Sequence, residues 1–214
     1  MDANTWDERY RDTELMWSAG PNGFVEEICS GFEPGRSIDL AAGEGRNALW
    51  LAEQGWDSTA VDFSAVAIDK ARAIAERRGI TITTEVADLD TYVPTPGGYD
   101  LVVIAYLQLP ADQLGPILER AAAAVAPSGH LVLVNHDLDN LEHGYGGPPS
   151  AEVLTTPDQV AAAIDTTLTV DRAETADRHV QTDGGERIAK DTVVVAPRPC
   201  PLDLPTTHIG EIGP

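Results

Sequence analysis

Hydrophobic and polar positions along the chain alternate between two rhythms. Ser37-Ile38-Asp39-Leu40-Ala41-Ala42 is a short apolar run that breaks at Gly43-Glu44-Gly45. After it, Ala48, Leu49, Leu51 and Ala52 recur at helical spacing until Gly55, a residue suited to ending a helix in the left-handed conformation. Ser58–Phe63 reads as a second strand. Ser64 then caps a helix whose apolar face is Ala67, Ala71, Ile74 and Ala75, with Gly79 at its end. A third strand is predicted over Ile80–Ala87. Leu101-Val102-Val103-Ile104-Ala105 follows as a continuous apolar run, as expected of a strand buried on both faces.

An Ala-rich helix is predicted from Ala111 to Ala126, closed by Pro127-Ser128-Gly129, and then a fifth strand over Leu131–Asn135. Thr156-Pro157-Asp158-Gln159 opens a further helix. Two β-rich runs come last, Thr167-Leu168-Thr169-Val170 continuing toward Thr175, and Arg187–Ala196. The turn-like Thr182-Asp183-Gly184-Gly185 between them predicts antiparallel pairing, so a mostly parallel, doubly wound α/β sheet would finish in a hairpin. Ahead of the first strand, Trp6, Tyr10 and Trp17 are spaced four and seven apart. They fit one face of a helix that either caps the core or folds over a ligand.

Composition narrows the partners. With 35 acidic against 14 basic residues the formal charge is -21, which disfavours phosphate backbones and anionic lipid surfaces. The expectation is therefore no nucleic-acid and no membrane partner. Glu76-Arg77-Arg78, the nearest thing to a basic patch, falls at a helix end where cations complement the dipole. Cys29 and Cys200 have no metal or redox spacing, and Met1-Asp2-Ala3-Asn4 begins acidic and polar. A cytoplasmic monomer or weak homo-oligomer is expected. The 214 residues suit one α/β domain, and a Pro-rich tail, 197–214, follows it.

Candidate chemistry gathers at the strand ends. Gly43-Glu44-Gly45-Arg46-Asn47-Ala48 satisfies a nucleotide-binding glycine pattern, yet Glu44 inside the loop opposes a pyrophosphate. Asp39 lies within the strand, where a carboxylate suits a cationic ligand group. Asp62 ends the second strand 23 residues after Asp39, close to the interval at which a carboxylate meets ribose hydroxyls. The segment Asn135–Pro149 is polar, glycine-rich and follows a strand end, so it is the expected wall of a second pocket. It carries His136 and His143 as candidate bases. His136, Asp137 and His143 could also be read as metal ligands, but they lack a fourth partner and no metal is expected. Tyr106, just past the fourth strand, is either a pocket wall or a core residue.

Ile38-Asp39-Leu40-Ala41-Ala42-Gly43-Glu44-Gly45 resembles the first motif of class I methyltransferases that use S-adenosylmethionine. Gly45-Arg46-Asn47 with Ala48-Leu49-Trp50-Leu51-Ala52 is similar to the small-molecule branch containing tellurite and thiopurine methyltransferases. Trp6-Asp7-Glu8-Arg9-Tyr10, Tyr99-Asp100-Leu101-Val102 and the Pro-x-Gly junction at Pro127 add landmarks; Ala42, where the family often has Gly or Cys, departs from it.

The resemblance implies a Rossmann-like sheet of order 3-2-1-4-5-7-6 with strand seven antiparallel, in one domain over residues 1–196 whose first 34 residues form a lid or cap segment. It implies S-adenosyl-L-methionine as cofactor and methyl transfer to a small-molecule acceptor. Cofactor-binding residues would be Asp39, Ala41, Gly43, Gly45, Asn47, Asp62, Phe63, Asp88, Leu89, Ile104, Tyr10 and Trp17. Two other classes share parts of the pattern: an NAD(P)-dependent oxidoreductase using the same Gly loop, and a non-catalytic S-adenosylmethionine-binding protein.

Overall fold

A computed structural model describes residues 3–13, 15 and 20–200. The sheet has seven strands: β1 (Arg36–Leu40), β2 (Asp57–Asp62), β3 (Thr83–Val86), β4 (Tyr99–Ala105), β5 (Val125–His136), β6 (Arg172–Thr182) and β7 (Gly185–Pro197). Their order is β3-β2-β1-β4-β5-β7-β6. The first five strands pair in parallel, whereas β7 is antiparallel to both β5 and β6. Helices α1 (Ala3–Arg11), α2 (Gly23–Cys29), α3 (Arg46–Glu53), α4 (Ala65–Arg78), α5 (Ala111–Ala124), α6 (Asn140–His143) and α7 (Pro157–Ile164) complete the described chain.

The central strands are apolar throughout because both of their faces are covered. Val102, Ile104, Leu131 and Leu133 pack with Leu114, Ile117 and Leu118 of α5 and with Val160 and Ile164 of α7. The alternate residues Leu101, Val103, Val132 and Val134 pack with Val25 and Cys29 of α2 and with Trp50 and Leu51 of α3. Each fully buried aliphatic side chain of this kind contributes about 1.5–3 kcal/mol. Period-two alternation thus assigns every strand residue to one helical layer or the other. Asp39, between Ile38 and Leu40, is turned toward α3.

Three boundaries differ from the pattern-based expectation. The stretch 167–170 is no strand: Thr167 and Leu168 N–H groups both donate to the Ile164 carbonyl, extending the end of α7, and Leu168 anchors that turn in the core. Helix α5 stops at Ala124, because Val125 is extended and pairs with Tyr99, so Pro127-Ser128-Gly129 lies inside the irregular start of β5. β3 covers only Thr83–Val86, an exposed edge where alternation carries little burial. The hairpin turn is the tightest possible, Thr182 pairing with Gly185 across Asp183-Gly184.

In the N-terminal segment, Tyr10 is buried and stacks on Trp6 with ring centroids 5.7 Å apart. Trp17, expected on the same face, lies outside the described residues, as does the tail from 201 onward. Among the described residues no helix is long and apolar enough to cross a membrane.

Candidate functional site

The loop between β1 and α3 makes its turn with Ala41, Gly43 and Gly45 at φ of 63°, 55° and 78°. Gly45 is the N-cap of α3, and a Cβ placed on it would stand 2.9 Å from the Cβ of Ala71 on α4. The glycine therefore allows both the left-handed turn and the close approach of the two helices. Glu44 is buried in the loop and pairs with Lys70 of α4 at 3.0 Å. The same ammonium donates to the carbonyls of Tyr10 and Thr13, at the end of α1, so one lysine joins the N-terminal helix to the glycine loop.

Asp39 is fully buried, and neither of its carboxylate oxygens has a hydrogen-bond partner of good geometry. Burial pushes its pKa up to about 7, opposed by the Arg46 charge and by the amides of Ala48 and Asn47 at the start of α3. Asp62 is also buried, but satisfied: its Oδ2 accepts the Gly43 N–H at 2.8 Å and its Oδ1 the Ser64 N–H at 2.9 Å. Burial raises its pKa against those two bonds. It ties the glycine loop to the end of β2 whatever else it binds.

The remaining sequence-selected residues divide by what they touch. Asn47 Oδ1 accepts the Asn22 N–H at 2.9 Å, and Asn22 in turn caps α2, so Asn47 links two helices. Asp88 is exposed and accepts the Asp90 N–H at 2.9 Å as a turn residue, beside buried Leu89. Phe63 is half-buried, and the Ile104 side chain lies in the α5-side core.

A second constellation stands at the ends of β4 and β5. Antiparallel pairing sets His136 directly opposite Asp191 of β7, whose neighbour on β6 is Ala176, with Arg178 two residues along on the same face. Asp191 is fully buried and takes three donors: His136 Nδ1 at 3.1 Å on Oδ1, Arg178 Nε at 2.6 Å and the Tyr106 hydroxyl at 2.8 Å on Oδ2. Burial pushes the Asp191 carboxyl up, but the bonds from His136 and Arg178 outweigh it and hold the pKa below its ordinary value.

Tyr106, at φ 60°, stacks on His136 with ring centroids 4.7 Å apart, and the guanidinium carbons of Arg46 and Arg178 each stand 5.7 Å from its ring centroid. Burial raises the Tyr106 pKa, so its hydroxyl is a neutral donor. Gly147 covers another side of the histidine: a Cβ on it would lie 3.2 Å from the ring's Cγ and Cδ2. Its loop is pinned by Asn140, which donates to the Gly146 carbonyl and accepts the Lys190 N–H.

His143 is elsewhere. It is 63% exposed on α6 and pairs with Asp139 at 2.7 Å, with no contact to Tyr106, His136 or Asp191. Asp137 is occupied by Thr175, Thr192 and the Asp139 N–H, and among the described residues no group of three His, Cys, Asp or Glu could hold a metal. Local pattern does not single out Asp191, which stands between Lys190 and Thr192, or Arg178; both join the constellation through strand register, which local pattern does not fix.

Residues 38–129 match a family model described as a methyltransferase domain. The chain is 26% identical over 117 residues to the 2-heptyl-1-hydroxyquinolin-4(1H)-one methyltransferase of Mycobacteroides abscessus, covering 53% of this chain and 52% of that protein. It is 30% identical over 112 residues to the tRNA 5-carboxymethoxyuridine methyltransferase of Escherichia coli, covering 50% of this chain and 42% of the relative. The aligned region thus spans about half the length of these relatives. The crystal structure of TehB from Haemophilus influenzae superposes with a TM-score of 0.68 at 17% identity, over 92% of this chain and 66% of that one.

The matched segment resembles a methyltransferase domain, and the sheet shares its fold with the superposed structure. That resemblance implies S-adenosyl-L-methionine as cofactor. The residues present fit that cofactor in one respect: the buried carboxylate of Asp39, at the end of β1 before the glycine loop, has no hydrogen bond of good geometry, and an ammonium group would satisfy it.

Proposed function

We propose that this protein transfers the methyl group of S-adenosylmethionine to a small-molecule acceptor, with the cytoplasm as its compartment and a monomer or weak homo-oligomer as its state. The observation that carries the reading is the buried Asp39 carboxylate, without a hydrogen bond of good geometry, at the topological switch point between β1 and β4, where open α/β sheets bind their ligands. Asp39 would neutralise the α-ammonium of the donor. The backbone of Ala41, Gly43 and Gly45 would approach its methionine part, Asp62 the ribose, and Asp88 with Leu89 the adenine. Phe63, Ile104 and Tyr10 would wall the site, with residues 1–34 as its lid.

When bound, the cofactor supplies a methyl group already activated by a sulfonium. The chain's own task is then to align the acceptor for in-line displacement and to exclude water. A net charge of -21 supports a small molecule over RNA, although one relative is named for a tRNA. The quinolinone relative supports it in kind.

Calorimetry with S-adenosylmethionine, its demethylated product and NAD tests the reading. The expected result is binding of the adenosyl ligands and none of comparable strength for NAD. Tight NAD binding with silence for the adenosyl ligands would overturn it in favour of an oxidoreductase.

A further inference from the structure

We infer that the acceptor is a weakly acidic hydroxyl compound, such as a phenol or enol, whose proton is taken by His136 Nε2, with Asp191 as the positioning residue that holds the imidazole for the task. This rests on the methyl-transfer reading above and deepens it. An ionised carboxylate only accepts hydrogen bonds, so the His136–Asp191 contact requires the proton on Nδ1, and in the neutral ring the lone pair then lies on Nε2. Among the described residues Nε2 has no hydrogen-bond partner. The ring is only 13% exposed, with Tyr106 stacked on it and Gly147 over its Cγ–Cδ2 edge.

The groups around the ring select the acceptor. Facing it are Asp191 from β7, Arg178 from β6, Tyr106 after β4 and, across the Tyr106 ring, Arg46 from α3. Two guanidinium groups disfavour an ammonium acceptor and favour an oxyanion formed during reaction. A thiolate or metalloid anion would need no base. A hydroxyl needs both features.

The step balances simply. The acceptor O–H bond breaks, its proton goes to Nε2 and its electron pair stays on oxygen; oxygen then forms the new bond to the methyl carbon as the carbon–sulfur bond breaks, its pair passing to sulfur. The imidazolium returns its proton to water.

Two measurements test this. Nitrogen NMR of the histidine-labelled free protein, followed through the His136 titration, should show the neutral form with Nδ1 protonated and Nε2 bare, a preference lost in Asp191→Asn; a neutral form protonated on Nε2 in the wild type would overturn the inference without any turnover assay. Next, phenol and the already ionised pentafluorophenol would be offered with labelled donor at pH 8. His136→Gln should lower turnover of phenol by about 10²–10⁴ and of pentafluorophenol by less than about tenfold, with melting temperature and donor affinity held. Equal losses for the two, or a wild type that binds the donor yet methylates neither, would overturn it. Donor binding by calorimetry separates that failure from failure of the methyltransferase reading.

Discussion

The Lys70 ammonium stands 3.0 Å from Glu44 Oε1 and also donates to the Tyr10 and Thr13 carbonyls, so a helix before the sheet and a loop within it share one cation. Glu44 is 2% exposed and Lys70 23%. Lys70→Met would leave the Glu44 carboxylate buried without its ion-pair partner, and stability should fall by about 2 kcal/mol, less than for a fully buried pair because the lysine is partly solvated. The double variant with Glu44→Gln should recover most of that. Denaturant midpoints measure both, and a single variant as stable as wild type would show that the pair holds nothing.

Asp39 predicts an unusual pH dependence. Its folded pKa of about 7 lies above the ordinary 3.8, so between those values the folded protein binds the extra proton. Stability from this group is complete below about pH 4 and is lost as pH rises toward 7, by on the order of 4 kcal/mol at most. Asp39→Asn should flatten that slope and melt higher than wild type at pH 8, while binding S-adenosylmethionine more weakly. Thermal melts from pH 5 to 8 check the first half, and calorimetry the second. In the wild type near pH 7, donor binding should release protons, seen as a heat that depends on the buffer.

Asp62 holds two backbone donors as well as its proposed ribose. Asp62→Ala should therefore cost about 2–3 kcal/mol of stability in addition to cofactor affinity, because the Gly43 and Ser64 amides lose their buried acceptor. Hydrogen exchange at Gly43 and Ser64 reads the structural part directly. A variant with unchanged protection at those amides would remove Asp62 from the loop's support.

Gly45→Ala should destabilise by about 1–2 kcal/mol from the left-handed backbone alone, before the contact with Ala71 is counted. Adding Ala71→Gly should relieve the contact but not the backbone term. Comparing the two melting temperatures separates them.

Legibility in the sequence followed burial. β4 and the core of β5 are apolar on both faces and were readable as strands, and the glycine loop with Asp39 and Asp62 was readable because special backbone and buried charge leave residue types that stand out. The pattern makes β3 too long and takes 167–170 for strand, because β3 is an exposed edge and Leu168 enters the core from the turn that ends α7. The second constellation was half legible. His136 and Tyr106 follow strand ends and could be named. Asp191 and Arg178 depend on the β5–β7 and β6–β7 registers, which long-range pairing fixes and local pattern does not.

The strand order also separates the two chemistries along the chain. Residues proposed to hold the donor come from α1 through the end of β4, whereas the histidine, its aspartate, the β6 arginine and the loop above them all follow residue 130. A chimera could therefore keep residues up to Ala105 and exchange the rest, carrying one donor machinery to a new acceptor. The β4–β5 ladder, the core on both of its faces and the Arg46–Tyr106 contact cross that seam, and these are the places at which such grafts would have to be rematched.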